Sequence, residues 1–419
     1  MRTLCERLLG NVPKPRVATH TSILNEDHER IDDALVLFFA APHSYTGEDL
    51  AEFQVHGSPI IVREVLRVAL KFGARLARPG EFTQRAFLNA KLDLHAASAV
   101  ADIIDAESRA AVRAALANLG GSLAQSVRSL RAQLVHLLEE LAAAIDYPDE
   151  VPEPHRVLFS GRISEALRAM DLLQRDGERG RMIREGLAVA IVGPPNAGKS
   201  SLLNALLGED RAIVSDVAGT TRDTIEERII LDGVALRLID TAGIRDHSDR
   251  IEAMGIERSR RAIEQADIVL LVVDGSQPLA QDGHELLRTT DERTRIVLWN
   301  KMDLVPHTHE DFPPENVVYG SAHDSVTLDA LRLALARVGW GGQRIDVARP
   351  HLSAAHEFSA LAQARVAVIE ADEVCTSGEP LDLAAPALAR AITSLGKITG
   401  DEVVEELLDG IFARFCIGK

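Results

Sequence analysis

The stretch Gly193-Pro-Pro-Asn-Ala-Gly-Lys199-Ser200-Ser201 decides how this chain reads. A short apolar run, Leu187-Ala-Val-Ala-Ile-Val192, precedes it, and a helical run, Leu202-Leu-Asn-Ala-Leu-Leu207, follows. Strand, glycine-bearing loop, helix is the context that a phosphate-binding loop requires. Glycines let backbone N–H groups close around phosphate oxygens. The helix that begins there points its positive end at the anion. From this loop Lys199 can reach the outer phosphates, and the Ser200 hydroxyl can bind Mg²⁺. The bland alternative is a turn that matches by chance, and placement between strand and helix argues against it.

Three more segments answer the same physical problem in the same order. Ala218-Gly-Thr-Thr221-Arg-Asp223 lies in a loop after the expected helix. A threonine there closes over the γ-phosphate and completes the Mg²⁺ shell. Asp240-Thr-Ala-Gly243 ends an apolar strand, Ala235-Leu-Arg-Leu-Ile239. Its aspartate sits where a carboxylate behind the Mg²⁺ shell belongs, and the Gly243 N–H can meet the γ-phosphate. Asn300-Lys-Met-Asp303 follows the strand Arg295-Ile-Val-Leu-Trp299. An aspartate at that strand end accepts both N1–H and N2–H₂ of guanine. Adenine lacks this donor pair, and each missing bond costs about 1–3 kcal/mol. A weaker segment, Gly320-Ser-Ala322, suits backbone contact to guanine O6. Singly, each short motif is more often an ordinary turn. Ordered at strand ends they point to GTP rather than ATP. The nucleotide site so outlined takes in Asn196, Ala197, Gly198, Lys199, Ser200 and Ser201 of the first loop. It continues with Ser215, Asp216, Val217, Ala218, Gly219, Thr220 and Thr221. It closes with Asp240, Thr241, Ala242, Gly243, Asn300, Lys301, Asp303, Ser321 and Ala322. With the buried run Ile268-Val-Leu-Leu-Val-Val-Asp274, the alternation predicts an α/β nucleotide domain over about 187–345.

The 419 residues suffice for two or three domains. A formal charge of −17 argues against non-specific nucleic-acid binding by charge alone. A partner could supply the basic surface. Cys5, Cys375 and Cys416 show no metal spacing, so a reducing compartment is the simplest setting. The N-terminus has no apolar signal core, and no run reaches the roughly 18 apolar residues of a membrane span. The expectation is a cytoplasmic protein without a membrane segment.

Outside the nucleotide domain, residues 1–90 read as a different α+β style. Ala34–Phe39 and Leu50–Val55 are strand candidates, Ile60–Phe72 is a helix candidate, and Arg78–Phe82 is a turn. From about 91 the pattern is helical. Leu116, Leu119, Leu123, Val127, Leu130, Leu134, Leu137 and Leu141 step by three or four, predicting a continuous seam. Asp146–Pro154 breaks it, and a helix over about 160–178 follows. Helices return over Leu352–Ala371 and Pro386–Ser394, and Asp401–Phe412 is amphipathic. Gln277–Asp291 and Val305–Pro314 read as surface connections. The economical arrangement is one helical domain, 91–186 plus 346–419, with the nucleotide domain inserted.

The chain closes on Phe415-Cys-Ile-Gly-Lys419. Together with the inserted nucleotide domain, this ending resembles the MnmE (TrmE) family of tRNA-modification GTPases. Further matching segments are Ser44–Asp49, Arg78–Thr83, Arg85–Asp93 and Ala144–Asp149, and the resemblance covers the whole chain. It implies a multidomain α/β plus all-α protein. A P-loop GTPase domain of the TRAFAC class is inserted in a discontinuous helical domain, after an N-terminal folate-binding domain that dimerises. The implied activity is GTP hydrolysis that serves modification of the tRNA wobble uridine at carbon 5. The implied product is a carboxymethylaminomethyl-type group. The implied partners are the FAD-containing flavoprotein MnmG, the tRNA and a second copy of the chain. The implied one-carbon donor is a tetrahydrofolate derivative.

The same resemblance assigns roles. K⁺ takes the place of an arginine finger, with Asn196, Ser215, Val217 and Thr220 as ligands and pairing of two G domains completing the site. Ser200 and Thr221 hold Mg²⁺. Glu252 orients the attacking water; by itself it reads as one charge on a solvated face. Cys416 lies near the modification site, and its catalytic role stays open against simple packing. Glu52, Lys91 and Lys419 match folate-contacting positions; alone, Glu52 and Lys91 read as surface charges and Lys419 as a frayed end. Family members begin with about thirty more residues, strand plus turn. Met1–Gly10 stands roughly where their first helix lies, and a missing strand would leave a sheet edge unpaired. Either the start codon is assigned too late, which is the favoured reading, or the folate domain is compromised. The alternative function is a regulatory GTPase of ribosome assembly, or a nucleotide-switched scaffold without tRNA chemistry.

Overall fold

The structure, a computed structural model, describes residues 1–106, 108–210, 227–231, 234–239, 260–279, 281–304, 316–340, 349–402, 405–413 and 415. Along the chain run α1 (Arg2–Leu9), β1 (Thr19–Leu24), β2 (Arg30–Phe39), β3 (Leu50–Gln54), α2 (Pro59–Lys71) and α3 (Glu81–Leu88). Next come α4 (Leu94–Asp105), α5 (Arg109–Leu119), α6 (Ser122–Asp146) and α7 (Arg156–Glu185). The nucleotide segment holds β4 (Leu187–Val192), α8 (Lys199–Asp210), β5 (Glu227–Leu231), β6 (Val234–Ile239) and β7 (Ile268–Asp274). It continues with α9 (Gln281–Thr289), β8 (Arg295–Asn300), β9 (Val317–Tyr319) and α10 (Ser325–Trp340). The last helices are α11 (Ala355–Ser377), α12 (Ala385–Thr399) and α13 (Glu405–Phe412). Two compact units result. One comprises Met1–Ala101, Gly121–Arg168 and Ala354–Lys419; the other comprises Asp102–Gly120 and Ala169–Ser353.

The first unit begins with an antiparallel meander, β1-β2-β3. Alternation in β2 turns Ala34, Val36 and Phe38 inward, where they meet Cys5 and Leu8 of α1, Ile23 and Val68. β1, Thr-His-Thr-Ser-Ile-Leu, is polar, and its place in the sheet comes from pairing with β2 rather than from an apolar run. The helical part packs α6 against α12, and α12 against α11. Leu123, Val127, Leu130, Leu134, Leu137 and Leu141 form the buried face of α6.

The predicted continuous seam is interrupted. α5 ends at Leu119, α6 starts at Ser122, and Gly121 between them takes a left-handed φ of 74°. Leu116, expected on the seam, is 52% exposed. The helix expected over about 160–178 is longer in both directions, as α7. A second correction concerns Gln277–Asp291: it contains α9, anchored by buried Leu287. Val305–Pro314 lies outside the described residues.

The second unit is a six-stranded sheet in the order β5-β6-β4-β7-β8-β9. Only β5 runs antiparallel to its neighbour. β4 is buried along its whole length and β7 along all but its last residue, as parallel strands covered on both faces require. Leu202, Leu203 and Leu206 of α8 and Leu328, Leu331 and Leu335 of α10 cover one face. Ala262, Ile263 and Leu287 cover the other. The chain turns from β6, on one side of β4, to β7, on the other. The crevice beyond the carboxyl ends of these strands is where open α/β sheets bind ligands.

Candidate nucleotide site

The first loop leaves β4 at that crevice and enters α8 at Lys199. Two of its glycines are fixed by space. A Cβ on Gly193 would stand 2.1 Å from the Val272 carbonyl oxygen of β7. A Cβ on Gly198, at φ +95°, would stand 2.1 Å from Asn300 Nδ2. Asn196 itself takes a left-handed φ of 60° and is exposed. The Lys199 ammonium donates to the Gly193 and Pro194 carbonyls, both at 2.8 Å. Burial lowers its pKa from the usual lysine range. Phosphate oxygens, as acceptors carrying full charge, offset that desolvation better than two carbonyls. Ser200 and Ser201 are half-buried in the first turn of α8.

Asn300 ties this loop to the segments beyond it. Its Nδ2 donates to the Ala197 carbonyl at 2.8 Å, and its Oδ1 accepts from the Ala322 N–H at 2.8 Å. Ala197, Asn300 and Ala322 are all buried, so one side chain fixes the spacing of the P-loop and the Gly320-Ser-Ala322 turn. Lys301, at φ 64°, donates from Nζ to Asp274 Oδ2 at 2.7 Å. Burial pushes the Asp274 carboxyl up, but the Lys301 ammonium and the Ser276 donors outweigh it and hold the pKa below the usual carboxylate range. Asp303 is exposed two residues on. The turn at 320–322 is braced from α10. The Thr327 hydroxyl accepts from the Ser321 N–H at 3.1 Å and donates to Asp324 at 3.0 Å. A Cβ on Gly320 would lie 2.0 Å from that hydroxyl.

The structure thus brings together Asn196, Ala197, Gly198, Lys199, Ser200, Ser201, Asn300, Lys301, Asp303, Ser321 and Ala322 at one end of one sheet. Ser215–Thr221, Asp240–Gly243 and Glu252 lie outside the described residues. Sequence reasoning missed three supporting groups. Asp274 ends an apolar strand and stands opposite Asn300 in the sheet, a placement that strand pairing reveals. Thr327 and Asp324 carry no motif and act only through the turn they hold.

The arrangement joins a glycine-bearing loop at the N-terminus of α8 to the Gly320–Ala322 turn through Asn300. The family model of the MnmE helical domain matches residues 94–416, and that of the GTP-binding protein TrmE N-terminus matches residues 2–91. The tRNA modification GTPase MnmE of Neisseria meningitidis serogroup A is 43% identical, over 99% of this chain and 93% of its own. The chain belongs to the MnmE family. The MnmE of Laribacter hongkongensis is 42% identical over 98% of this chain and 91% of its own. Among solved structures, the G domain of the T. maritima FeoB iron transporter matches at 25% identity. It covers 36% of this chain and 97% of that one, at a TM-score of 0.26.

In this MnmE-family chain the N-terminal candidates are placed as follows. Glu52 is exposed on β3, opposite Leu37 of β2. The exposed Lys91 donates from Nζ to the Pro42 carbonyl at 3.0 Å, against the β2–β3 loop. No contact joins Glu52 to Lys91 among the described residues. Nearby, Arg75, Arg85 and the Arg78 N–H converge on buried Glu81. The Arg75 guanidinium, acting against burial, holds the Glu81 carboxyl well below the usual range. Gly80, at φ +66°, packs so closely that a Cβ would lie 2.8 Å from the Phe412 carbonyl oxygen and 3.1 Å from Phe415. Gly80, at the start of α3, therefore receives Phe412 and Phe415. Cys416 and Lys419 lie outside the described residues. Among the described residues no helix is long and apolar enough to cross a membrane.

Proposed function

We propose that the chain hydrolyses GTP in the service of tRNA modification at the wobble uridine. The observation that carries the GTP reading is the Asn300 clamp, which holds the P-loop and the Gly320–Ala322 turn at one spacing beside exposed Asp303. The tRNA part rests on family membership over nearly the full length.

The chain's own residues act in named ways. N–H groups of the loop from Asn196 to Ser200 take the phosphate oxygens, aided by the N-terminus of α8. Lys199 leaves its two carbonyl partners for the β- and γ-phosphates. Asp303 accepts the guanine donors, and the Ala322 region meets O6. Asp240, Thr241, Ala242 and Gly243 face the γ-phosphate. Ser215, Asp216, Val217, Ala218, Gly219, Thr220 and Thr221 close over it. Glu252 orients the attacking water. Mg²⁺, held by Ser200 and Thr221, and K⁺, held by Asn196, Ser215, Val217 and Thr220, would offset charge developing between the β- and γ-phosphates. The donor set suits both: hydroxyl, amide and carbonyl oxygens are hard-cation ligands, and Asn196 is exposed on the loop.

The wider reading adds a homodimer whose G domains pair across the nucleotide, an MnmG-type flavoprotein partner, and a tetrahydrofolate derivative near Glu52, Lys91, Lys419 and Cys416. The exposure of Glu52 and Lys91 supports the folate part. The domain division, 1–90, 91–186, 187–345 and 346–419, belongs to this reading. Its first boundary is supported by the two family matches, which end at 91 and begin at 94. A cytoplasmic setting goes with tRNA as substrate.

The test is the GTP hydrolysis rate in K⁺ and in Na⁺ at equal ionic strength, over a range of protein concentrations. Strong K⁺ stimulation that rises with protein concentration is expected. Equal rates in both salts would remove the cation site and the G-domain pairing.

A further inference from the structure

The connection between α6 and α7 carries none of the candidate nucleotide-site residues. Arg162 of α7 donates to both carboxylate oxygens of Glu140 on α6, at 2.6 and 2.8 Å, so the helices run side by side as a hairpin. The Glu150 and Val151 N–H groups close the turn on the Tyr147 carbonyl, at 3.0 and 2.8 Å. Around this tip stand four large apolar side chains: Ile145 is 49% exposed, Tyr147 60%, Val157 73% and Leu158 70%. Phe159 and Ile163 already supply the buried face of this end of α7. Val157 and Leu158 are therefore surplus to the core, on the solvent side of its first turn.

The rim of this tip has one sign. From Glu139 to Glu153 there are six acidic residues and no lysine or arginine, so any complementary surface must be basic. Arg156 and Arg162 pair with Glu153 and Glu140, which leaves Asp146, Asp149 and Glu150 exposed around the apolar centre. Such a rim repels the phosphates of a nucleic acid. It suits a protein face with an apolar depression bordered by arginine or lysine. A protein that handles tRNA alongside this acidic chain must supply the cationic surface itself, because the net charge here is −17.

We propose that the α6–α7 hairpin tip docks the basic, tRNA-handling protein partner. Tyr147, Val157 and Leu158 fill its apolar depression, and Asp149 and Glu150 pair with cations at its edge. This rests on the partner reading given above. The buried aromatic and aliphatic anchors carry most of the affinity, and the rim sets the approach rate and its salt dependence.

The experiment uses the full chain and the purified MnmG-type flavoprotein of the same organism. Binding is measured by titration calorimetry and by association kinetics at several salt concentrations. Two double variants at exposed positions are compared with the natural chain: Val157→Asp with Leu158→Asp, and Asp149→Lys with Glu150→Lys. The first is expected to raise Kd at least tenfold. The second is expected to slow association and flatten its salt dependence. Both should keep the GTP turnover and the sedimentation coefficient of the chain alone. Unchanged Kd for both variants, with the natural chain binding, would overturn the proposal and leave the partner reading standing. A changed sedimentation coefficient would give the tip to a second copy of this chain and also overturn it. Absence of binding by the natural chain would remove the partner reading, and this proposal with it.

Discussion

Replacing Asn300 with alanine removes a side chain that ties the P-loop to the Gly320–Ala322 turn. The loss is two bonds of 2.8 Å in a buried setting, to the Ala197 carbonyl and from the Ala322 N–H. Each stranded buried polar group costs about 1–3 kcal/mol. The vacated side-chain volume adds a smaller term. The expected total is at least about 2–6 kcal/mol, read as a lower urea midpoint with an unchanged slope, in the transition that added GTP shifts. If about 2 kcal/mol of that falls on the nucleotide-competent arrangement of the two loops, GTP Kd rises roughly thirtyfold. Asn300→Asp is the control. It keeps an acceptor for Ala322 and sets a second acceptor against the Ala197 carbonyl, so it should lose affinity as well. Urea titration and a fluorescent GTP analogue measure both quantities. An Asn300→Ala chain with an unchanged midpoint and a Kd within about threefold would refute the clamp.

Two further outcomes follow from other residues. Asp303→Asn exchanges an acceptor pair for one acceptor and one donor. GTP affinity is expected to fall by about 10–100-fold, at about 1.5–3 kcal/mol for a bond to a charged group, while xanthosine triphosphate gains. Competition titration of the two nucleotides checks it, and unchanged selectivity would contradict the assignment. Glu357, fully buried, accepts from His95 Nδ1 at 2.7 Å and from the Ala354 N–H at 3.0 Å. Burial pushes its carboxyl up, but the His95 charge and these hydrogen bonds prevail and hold its pKa at about 2, against 4.5 ordinarily. A lowered folded pKa means that the stabilisation is complete above about 4.5 and is lost as pH falls toward about 2. Glu357→Gln should flatten that acid limb in urea midpoints, and an unchanged pH profile would deny the pair this role.

Much of the nucleotide unit was legible because its strands are buried on both faces. β4 is an unbroken apolar run and β7 is one up to Asp274; the P-loop follows β4, and Asn300 closes the apolar run of β8. β1 was not legible, since Thr-His-Thr-Ser-Ile-Leu carries little apolar alternation and its strand state depends on β2. α9 hid behind a glycine and six charged or polar residues, and of its two leucines only Leu287 is buried. The step from Leu119 to Leu123 kept helical spacing across Gly120-Gly121, so periodicity alone could not reveal the break. In the site, Lys199, Asn300 and Asp303 were readable from spacing. That Asn300 reaches back across 103 residues to Ala197 was not, because the approach exists only once β4 and β8 share a sheet. Likewise the Arg75, Arg78 and Arg85 contacts to Glu81 look like scattered surface charges until α3 folds.

The most direct test of the central claim is nucleoside analysis of bulk tRNA from a strain lacking this chain, complemented with the natural sequence or with Lys199→Ala. The account predicts loss of the C5-modified wobble uridine in the deletion. The natural chain should restore it and Lys199→Ala should not. An unchanged nucleoside profile in the deletion strain would contradict the account.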